Sequence, residues 1–164
     1  MLRLKAIMQK SSKFLLFFLR VFLGWLYLYA GVTKILNPSW TSEEYIKSAK
    51  TFASLYNVFL NPTLLPIVNF VNEWGLTLLG ISLITGICVR LSSILGAFLM
   101  LLYYFVILDF PYVNKNFFLV DQHVIFILVL LLFASMQPKQ FGTLKSLFSS
   151  LKTFLVKVLF KNPL

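Results

Sequence analysis

Charged, phenolic and small residues recur along one face of the first apolar segment. Arg20, Gly24, Tyr27, Gly31 and Lys34 follow one another at steps of four, three, four and three residues, which places them on one side of an α-helix. Charged side chains within a membrane are costly and usually face the protein interior. The stripe therefore predicts a helix face that looks into a bundle. The alternative is that the glycines only pack helices and that both cations reach toward the membrane surfaces.

Glu73 is the acid that carries the most information about this interior. It lies about 10 Å into the second apolar segment, counted from Pro66 at 1.5 Å per residue. An unpaired carboxylate at that depth would take up a proton. We therefore expect Glu73 to be neutral or to be compensated by a cation of the first helix, either Lys34 or Arg20.

The last apolar segment opens with Asp121-Gln122-His123. A histidine at this depth indicates hydrogen bonding or proton transfer, whereas a metal shared by Glu73, Asp121 and His123 is the weaker alternative. A haem held between two histidines is excluded, because the chain has one histidine. The single cysteine excludes an internal disulfide, and the sequence has no phosphate loop or nucleophile elbow.

These residues predict a polar pocket and assign no catalytic residue. An apolar, aromatic-rich bundle with a few converging donors and acids suits a small lipophilic ligand with carbonyl or hydroxyl groups, and a quinone fits that description. No haem, flavin or metal site is visible in the sequence. The candidate ligand-binding residues are Arg20, Tyr27, Lys34, Glu73, Asp121 and His123.

Membrane-spanning helices must position these residues. Of the 164 residues, 59% are hydrophobic and 12% are charged, and the mean hydropathy is +0.86; a soluble domain carries about 25% charged residues. A span needs about 20 largely apolar residues. Four stretches qualify and predict an all-α membrane protein, a four-transmembrane-helix bundle within residues 1–140. The predicted spans are residues 14–36, 64–89, 91–110 and 119–136.

The basic residues predict the orientation of the bundle. Most of them precede the first span, follow the last one or, like Arg90, lie between the second and third, whereas all five acids fall in the other half. The positive-inside rule then places both termini in the cytoplasm. The net charge of +10 flanks apolar runs, a distribution typical of a lipid bilayer partner and not of a nucleic acid partner.

Two segments outside the spans have helical patterns. In the first outer loop, Thr41 and Glu44 have capping-box spacing, and the following apolar positions predict an amphipathic helix over the bundle mouth. Residues 141–164 combine an apolar stripe with lysines. They predict a basic C-terminal amphipathic helix on the cytoplasmic membrane surface, with docking to a partner protein as the alternative.

Several of these residues together resemble the DoxX family, and especially its DoxD branch, the small subunit of thiosulfate:quinone oxidoreductase. The resemblance covers roughly residues 15–135 and rests on the order and spacing of five short segments: Arg20 to Gly24, Gly31 to Pro38, Glu73 to Gly80, Thr85 to Arg90, and Asp121 to His123. It implies a four-helix protein of the prokaryotic inner membrane, often the membrane partner of an oxidoreductase that delivers electrons to quinone. The related MauE-like branch has a cysteine motif in the second outer loop, where this chain has no cysteine.

Three functional hypotheses follow. The leading one is a quinone-interacting membrane subunit of a redox complex, an oxidoreductase subunit whose catalytic centres come from a partner subunit; a homo-oligomer is the other form of assembly. The second is a structural anchor or assembly subunit without a ligand site. The third is a conduit for a small solute or a proton, with Glu73 and Asp121 as relay groups. A cavity with aromatic lining favours the first, no cavity the second, and a polar path from Asp121 to Arg20 the third.

Overall fold

Four helices form the body of the protein. The structure is a computed structural model that describes residues 2–114 and 117–136, with side chains for 12–113 and 117–136. The four helices are α1 (Leu2–Ile35), α4 (Leu65–Thr85), α5 (Val89–Ile107) and α6 (Gln122–Ser135). Neighbours along the chain run antiparallel. Gly31 and Gly24 of α1 lie against Thr77 and Ile84 of α4, and a tight turn joins α4 to α5. Gly96 and Tyr103 of α5 lie against Leu130 and His123 of α6. The predicted C-terminal helix at 141–164 lies outside the described residues.

Within the described residues, three helices are long and apolar enough to cross a membrane. They are Ser12–Ile35 within α1, together with α4 and α5. Helix α6 is apolar but has only 14 residues, about 21 Å at 1.5 Å per residue. A largely helical membrane protein is therefore confirmed, whereas the count of four spans stays a prediction.

Close contact between backbones joins α1 to α4. A Cβ atom added at Gly80 of α4 would lie 2.4 Å from the backbone nitrogen of Leu28, and one added at Gly31 of α1 would lie 2.6 Å from that of Thr77. Only glycine permits such approach. Helices α5 and α6 form a second pair, and α4 packs against α5. The buried core between the pairs is apolar and includes Leu76, Leu79, Leu83, Leu130 and Phe133.

The loop after α1 differs from the predicted single amphipathic helix. It contains two short helices, α2 (Glu43–Lys47) and α3 (Ala53–Asn57), followed by a 3₁₀ turn at Val58–Leu60. The helix is interrupted because Thr51 bonds to another part of the chain: its amide and its hydroxyl donate to the Leu108 carbonyl, at 3.3 Å and 2.7 Å. The predicted capping box is also absent from α2, since Ser42 precedes the helix and its hydroxyl donates to Asn69 at 2.6 Å.

Two short antiparallel strands, which the sequence did not predict, precede α6. They are β1 (Tyr112–Asn114) and β2 (Phe117–Phe118), with Tyr112 opposite Phe118. Together with the loop helices they cover one end of the bundle. We call this end, formed by residues 36–64, 108–114 and 117–121, the capped end. Ile46, Ala49 and Tyr56 pack there against Val106 in a second, smaller apolar cluster.

Candidate functional site

A cavity of about 650 Å³ lies under the capped end. All four long helices contribute to its wall, and α2, β1 and β2 contribute to it from the capped end. Its lining surface is mainly apolar, as in typical small-molecule sites, although about half of the lining residues carry a polar side-chain group. The residues of the wall are Leu26, Tyr27, Ala30, Lys34, Trp40, Thr41, Ser42, Tyr45, Asn72, Leu76, Met100, Tyr103, Ile107, Val113, Phe117, Asp121, Gln122, His123 and Phe126.

Asp121 and His123 form a tightly held pair at the start of α6. One carboxylate oxygen of Asp121, Oδ1, accepts from the backbone amides of His123 and Val124 at 3.0 Å and 3.4 Å. Asp121 is thus the N-cap of α6, a position that aspartate favours. The other oxygen, Oδ2, lies 2.5 Å from Nδ1 of His123. Because the helix start fixes the carboxylate, the imidazole is fixed as well.

Tyr27 supplies the most unusual polar atom of the cavity. Its side chain is 1% exposed, and its hydroxyl has no hydrogen-bond partner among the residues that the structure describes. Its ring meets the edge of Phe126 at 5.9 Å. Buried hydroxyl groups are nearly always hydrogen-bonded, and an unmet one costs about 1–3 kcal/mol. Tyr27 is part of the cavity wall, but its hydroxyl has almost no accessible surface, so a ligand oxygen would reach this donor only after a small movement of the wall.

Sequence reasoning missed a second polar pair, Asn72 and Tyr103. The Tyr103 hydroxyl donates to the side-chain oxygen of Asn72, whose amide nitrogen donates back to the Val68 carbonyl at 2.8 Å. The Tyr103 ring also packs at 6.1 Å against the His123 ring. An asparagine within an apolar helix was the available signal. The pairing itself depends on how α4 and α5 are aligned, which the sequence pattern does not reveal.

Lys34 lies at the edge of the same cavity and is half-buried. Its amine donates to the Ala30 carbonyl at 3.3 Å and lies 5.3 Å from the centre of the Trp40 ring, in a cation–π contact. Glu73 is close enough to attract the amine electrostatically. Within the part of the chain that is described, the three ion pairs found do not include Glu73.

Two of the six predicted site residues do not line the cavity. Glu73 is half-buried on α4. Its backbone carbonyl accepts from the Thr77 hydroxyl at 2.7 Å. Arg20 is 1% exposed but lies about 21 Å from Lys34 along α1. There its guanidinium lies beside Gly86, which ends α4 with its backbone in the left-handed conformation. The guanidinium also lies 5.5 Å from the centre of the Phe17 ring. A cation at a helix C-terminus is stabilising, which gives Arg20 a structural explanation.

Tyr45 connects the covering loop to the cavity wall. Its hydroxyl donates to the Tyr103 carbonyl at 3.0 Å. Burial raises the pKa of the Tyr45 phenol, and the charge of Asp121 and the neighbouring Tyr56 raise it further. The phenol therefore keeps its proton and its donor role across the physiological pH range, so the loop stays attached to α5.

The donors and acceptors of this cavity suit an oxygen-bearing organic ligand. Tyr27 and Lys34 can donate, and the imidazole of His123 can donate or accept. In the described part of the chain, no three His, Cys, Asp or Glu side chains cluster as a metal ion would need.

Comparison with known proteins places most of this architecture in one family. Residues 15–109, more than half of the chain, match the family model described as DoxX. The matched segment runs from the start of the apolar part of α1 to just beyond α5. Comparisons with curated proteins and with solved structures gave no significant match.

Proposed function

The chain belongs to the DoxX family, and on that premise we propose that it is the quinone-interacting membrane subunit of a redox complex, of the DoxD-like type. The reaction class would be an oxidoreductase acting on quinone. A partner subunit would carry the centre that exchanges electrons, with this chain supplying a quinone site in the lipid phase; assembly as a homo-oligomer is the alternative.

The observation that carries the proposal is the mainly apolar, aromatic-rich cavity whose wall contains Tyr27, a tyrosine with a buried and unmet hydroxyl. A quinone head group is a flat, uncharged ring with two oxygen atoms, so it can accept from Tyr27 while its ring packs against aromatic side chains. The cavity of about 650 Å³ lies within the range of small-molecule sites. Lys34, Asp121 and His123 are among the other polar residues of the wall.

The two rival hypotheses have less support. A plain anchor would have no need of a cavity with an unmet donor. A conduit would need a continuous polar path between Asp121 and Arg20, whereas the core cluster is apolar and includes Leu76, Leu79 and Leu83. Thr77 and Ser93 are isolated buried polar residues beside it.

A binding experiment with matched tyrosine variants tests the proposal. Tyr27→Phe removes the unmet hydroxyl and keeps the ring, and we expect it to weaken binding of duroquinone to the detergent-solubilised protein about three- to tenfold, the equivalent of one hydrogen bond. Tyr29→Phe is the control, because Tyr29 is 63% exposed on the same helix and does not line the cavity. Absence of duroquinone binding to the wild type, or equal losses in both variants, would refute the proposal.

The proposed setting is the prokaryotic inner membrane, with four spans and both termini in the cytoplasm. Helix α6 would be the fourth span, paired with α5, and the capped end would face outward. Cys88 provides a test, because it is the one cysteine of the chain and is exposed in the turn between α4 and α5. A membrane-impermeant thiol reagent should label it in inverted vesicles and not in intact cells. Labelling in intact cells would reverse the orientation.

A further inference from the structure

We infer that the cavity distinguishes the two oxidation states of its ligand and binds the hydroquinone form more tightly than the quinone form. The inference rests on the proposed function, since it takes a quinone-type ligand as given. It follows from how Asp121 fixes the position of the proton on His123.

Both oxygens of the Asp121 carboxylate are committed as acceptors. Oδ1 accepts from two backbone amides at the start of α6, at 3.0 Å and 3.4 Å, and Oδ2 faces Nδ1 of His123 at 2.5 Å. An ionised carboxylate can only accept. The proton of a neutral His123 ring must therefore lie on Nδ1, as in other carboxylate-held histidines.

The other ring nitrogen of His123 then presents a lone pair. Within the described residues Nε2 has no hydrogen-bond partner, and the side chain, which is 13% exposed, forms part of the cavity wall. Nε2 thus offers an acceptor to the ligand, whereas Tyr27 offers a hydroxyl that can donate. The amine of Lys34 donates to the Ala30 carbonyl and lies over the Trp40 ring. Because an ammonium group can donate to a carbonyl oxygen or to a hydroxyl oxygen, it does not distinguish the two forms of the ligand.

The two forms of the ligand differ at this point. A quinone presents only carbonyl oxygens, and a carbonyl opposite the lone pair of Nε2 leaves both acceptors unmatched. A hydroquinone presents hydroxyl groups, one of which can donate to Nε2 of His123 while the other accepts from Tyr27. One additional hydrogen bond corresponds to about three- to tenfold tighter binding.

Asp121→Asn should abolish the expected preference without removing the helix cap. Asparagine is as good an N-cap as aspartate, so its side-chain oxygen can keep the bonds to the two amides. Its NH₂ group then faces Nδ1 of His123 and donates to it. The ring proton moves to Nε2, which becomes a donor. The carbonyl of the quinone and the hydroxyl of the hydroquinone can both accept from it, so the preference for the hydroquinone is lost.

The experiment measures anaerobic binding of duroquinone and durohydroquinone to the full chain in detergent micelles, by calorimetry at about pH 9, above the range in which histidine ordinarily takes up a second proton. Each protein gives a ratio of two Kd values. Dividing the wild-type ratio by the His123→Ala ratio cancels the different partition of the probes into micelles. Tyr27→Phe should weaken both forms while leaving a preference for durohydroquinone.

The possible results separate the inference from the proposed function. The inference is supported if the wild-type ratio favours durohydroquinone about three- to tenfold over the His123→Ala ratio, while the Asp121→Asn ratio stays close to that of His123→Ala. If both probes bind but the wild-type ratio equals the His123→Ala ratio, or favours duroquinone relative to it, the inference is wrong and the proposed function stands. If neither probe binds the wild type, the proposed function itself fails. Should Asp121→Asn not fold, the His123→Ala ratio still decides.

Discussion

Replacing Gly80 by alanine tests the close packing of α1 against α4, on which the cavity depends. The added Cβ would lie 2.4 Å from the backbone nitrogen of Leu28 and 2.6 Å from its Cα. Atoms of a helix backbone cannot rotate away as a side chain does. To restore ordinary contact, α1 would have to move by about 1 Å along much of its interface. Tyr27 precedes Leu28 in the chain, so the shift would also disturb the cavity wall.

The loss of stability caused by the clash at Gly80 can be isolated with a matched control. Gly75→Ala is the same change in the same helix, but its Cβ would meet only Leu99 at 3.9 Å and Val71 at 4.0 Å. The helix-propensity gain of alanine over glycine, about 1 kcal/mol, is therefore common to both variants. Their difference should reflect the clash at Gly80 alone, and overpacking of this kind costs about 1–3 kcal/mol.

The assay is reversible unfolding of the two variants in mixed micelles of mild detergent and dodecyl sulfate, followed by circular dichroism. We expect Gly80→Ala to be less stable than Gly75→Ala by about 1–3 kcal/mol, and to bind duroquinone more weakly. Equal unfolding free energies for the two variants would show that α1 and α4 do not approach each other as closely as the structure has them.

Two further predictions concern the capped end. Asp121→Ala should lower the free energy of unfolding by about 1 kcal/mol, because the cap of α6 is lost, whereas Asp121→Asn should stay near the wild type; equal losses in the unfolding assay would contradict the capping role. Tyr56 donates to the Leu102 carbonyl at 2.7 Å, and burial raises the pKa of its phenol. The unfolded chain therefore ionises first, so this contribution is complete below about pH 10 and declines as the pH rises further. Tyr56→Phe should be less stable at neutral pH but lose less between about pH 9 and 11, and parallel unfolding-versus-pH curves would contradict this reasoning.

The parts of the fold that sequence predicted well are those set by local geometry. The stripe on α1 is confirmed, since Arg20, Gly24, Tyr27 and Gly31 are all buried and Lys34 is half-buried. Helical spacing alone fixes which residues share a face. Apolar composition likewise predicted the three long helices. In each case the deciding interactions lie within one segment of the chain.

What sequence did not predict depends on partners distant in the chain. The break between α2 and α3 follows from the bonds of Thr51 to Leu108, 57 residues away. The depth of Glu73 in its span predicted a position near Lys34. Glu73 does not line the cavity, however, because α4 packs at this level on Gly31 of α1. Arg20 shares a face with Lys34 and still lies at another level, because a common face does not imply a common site.

Asp121 links the fold of the capped end to the chemistry proposed for the cavity. The same carboxylate starts α6 and orients His123, so a variant that merely removes it changes stability and ligand binding together. Asn at position 121 separates the two roles, because it retains an oxygen for the backbone amides and replaces the acceptor that faces the imidazole by a donor. A change in ligand preference with an unchanged unfolding free energy would therefore reflect the proton on His123 and not a damaged helix.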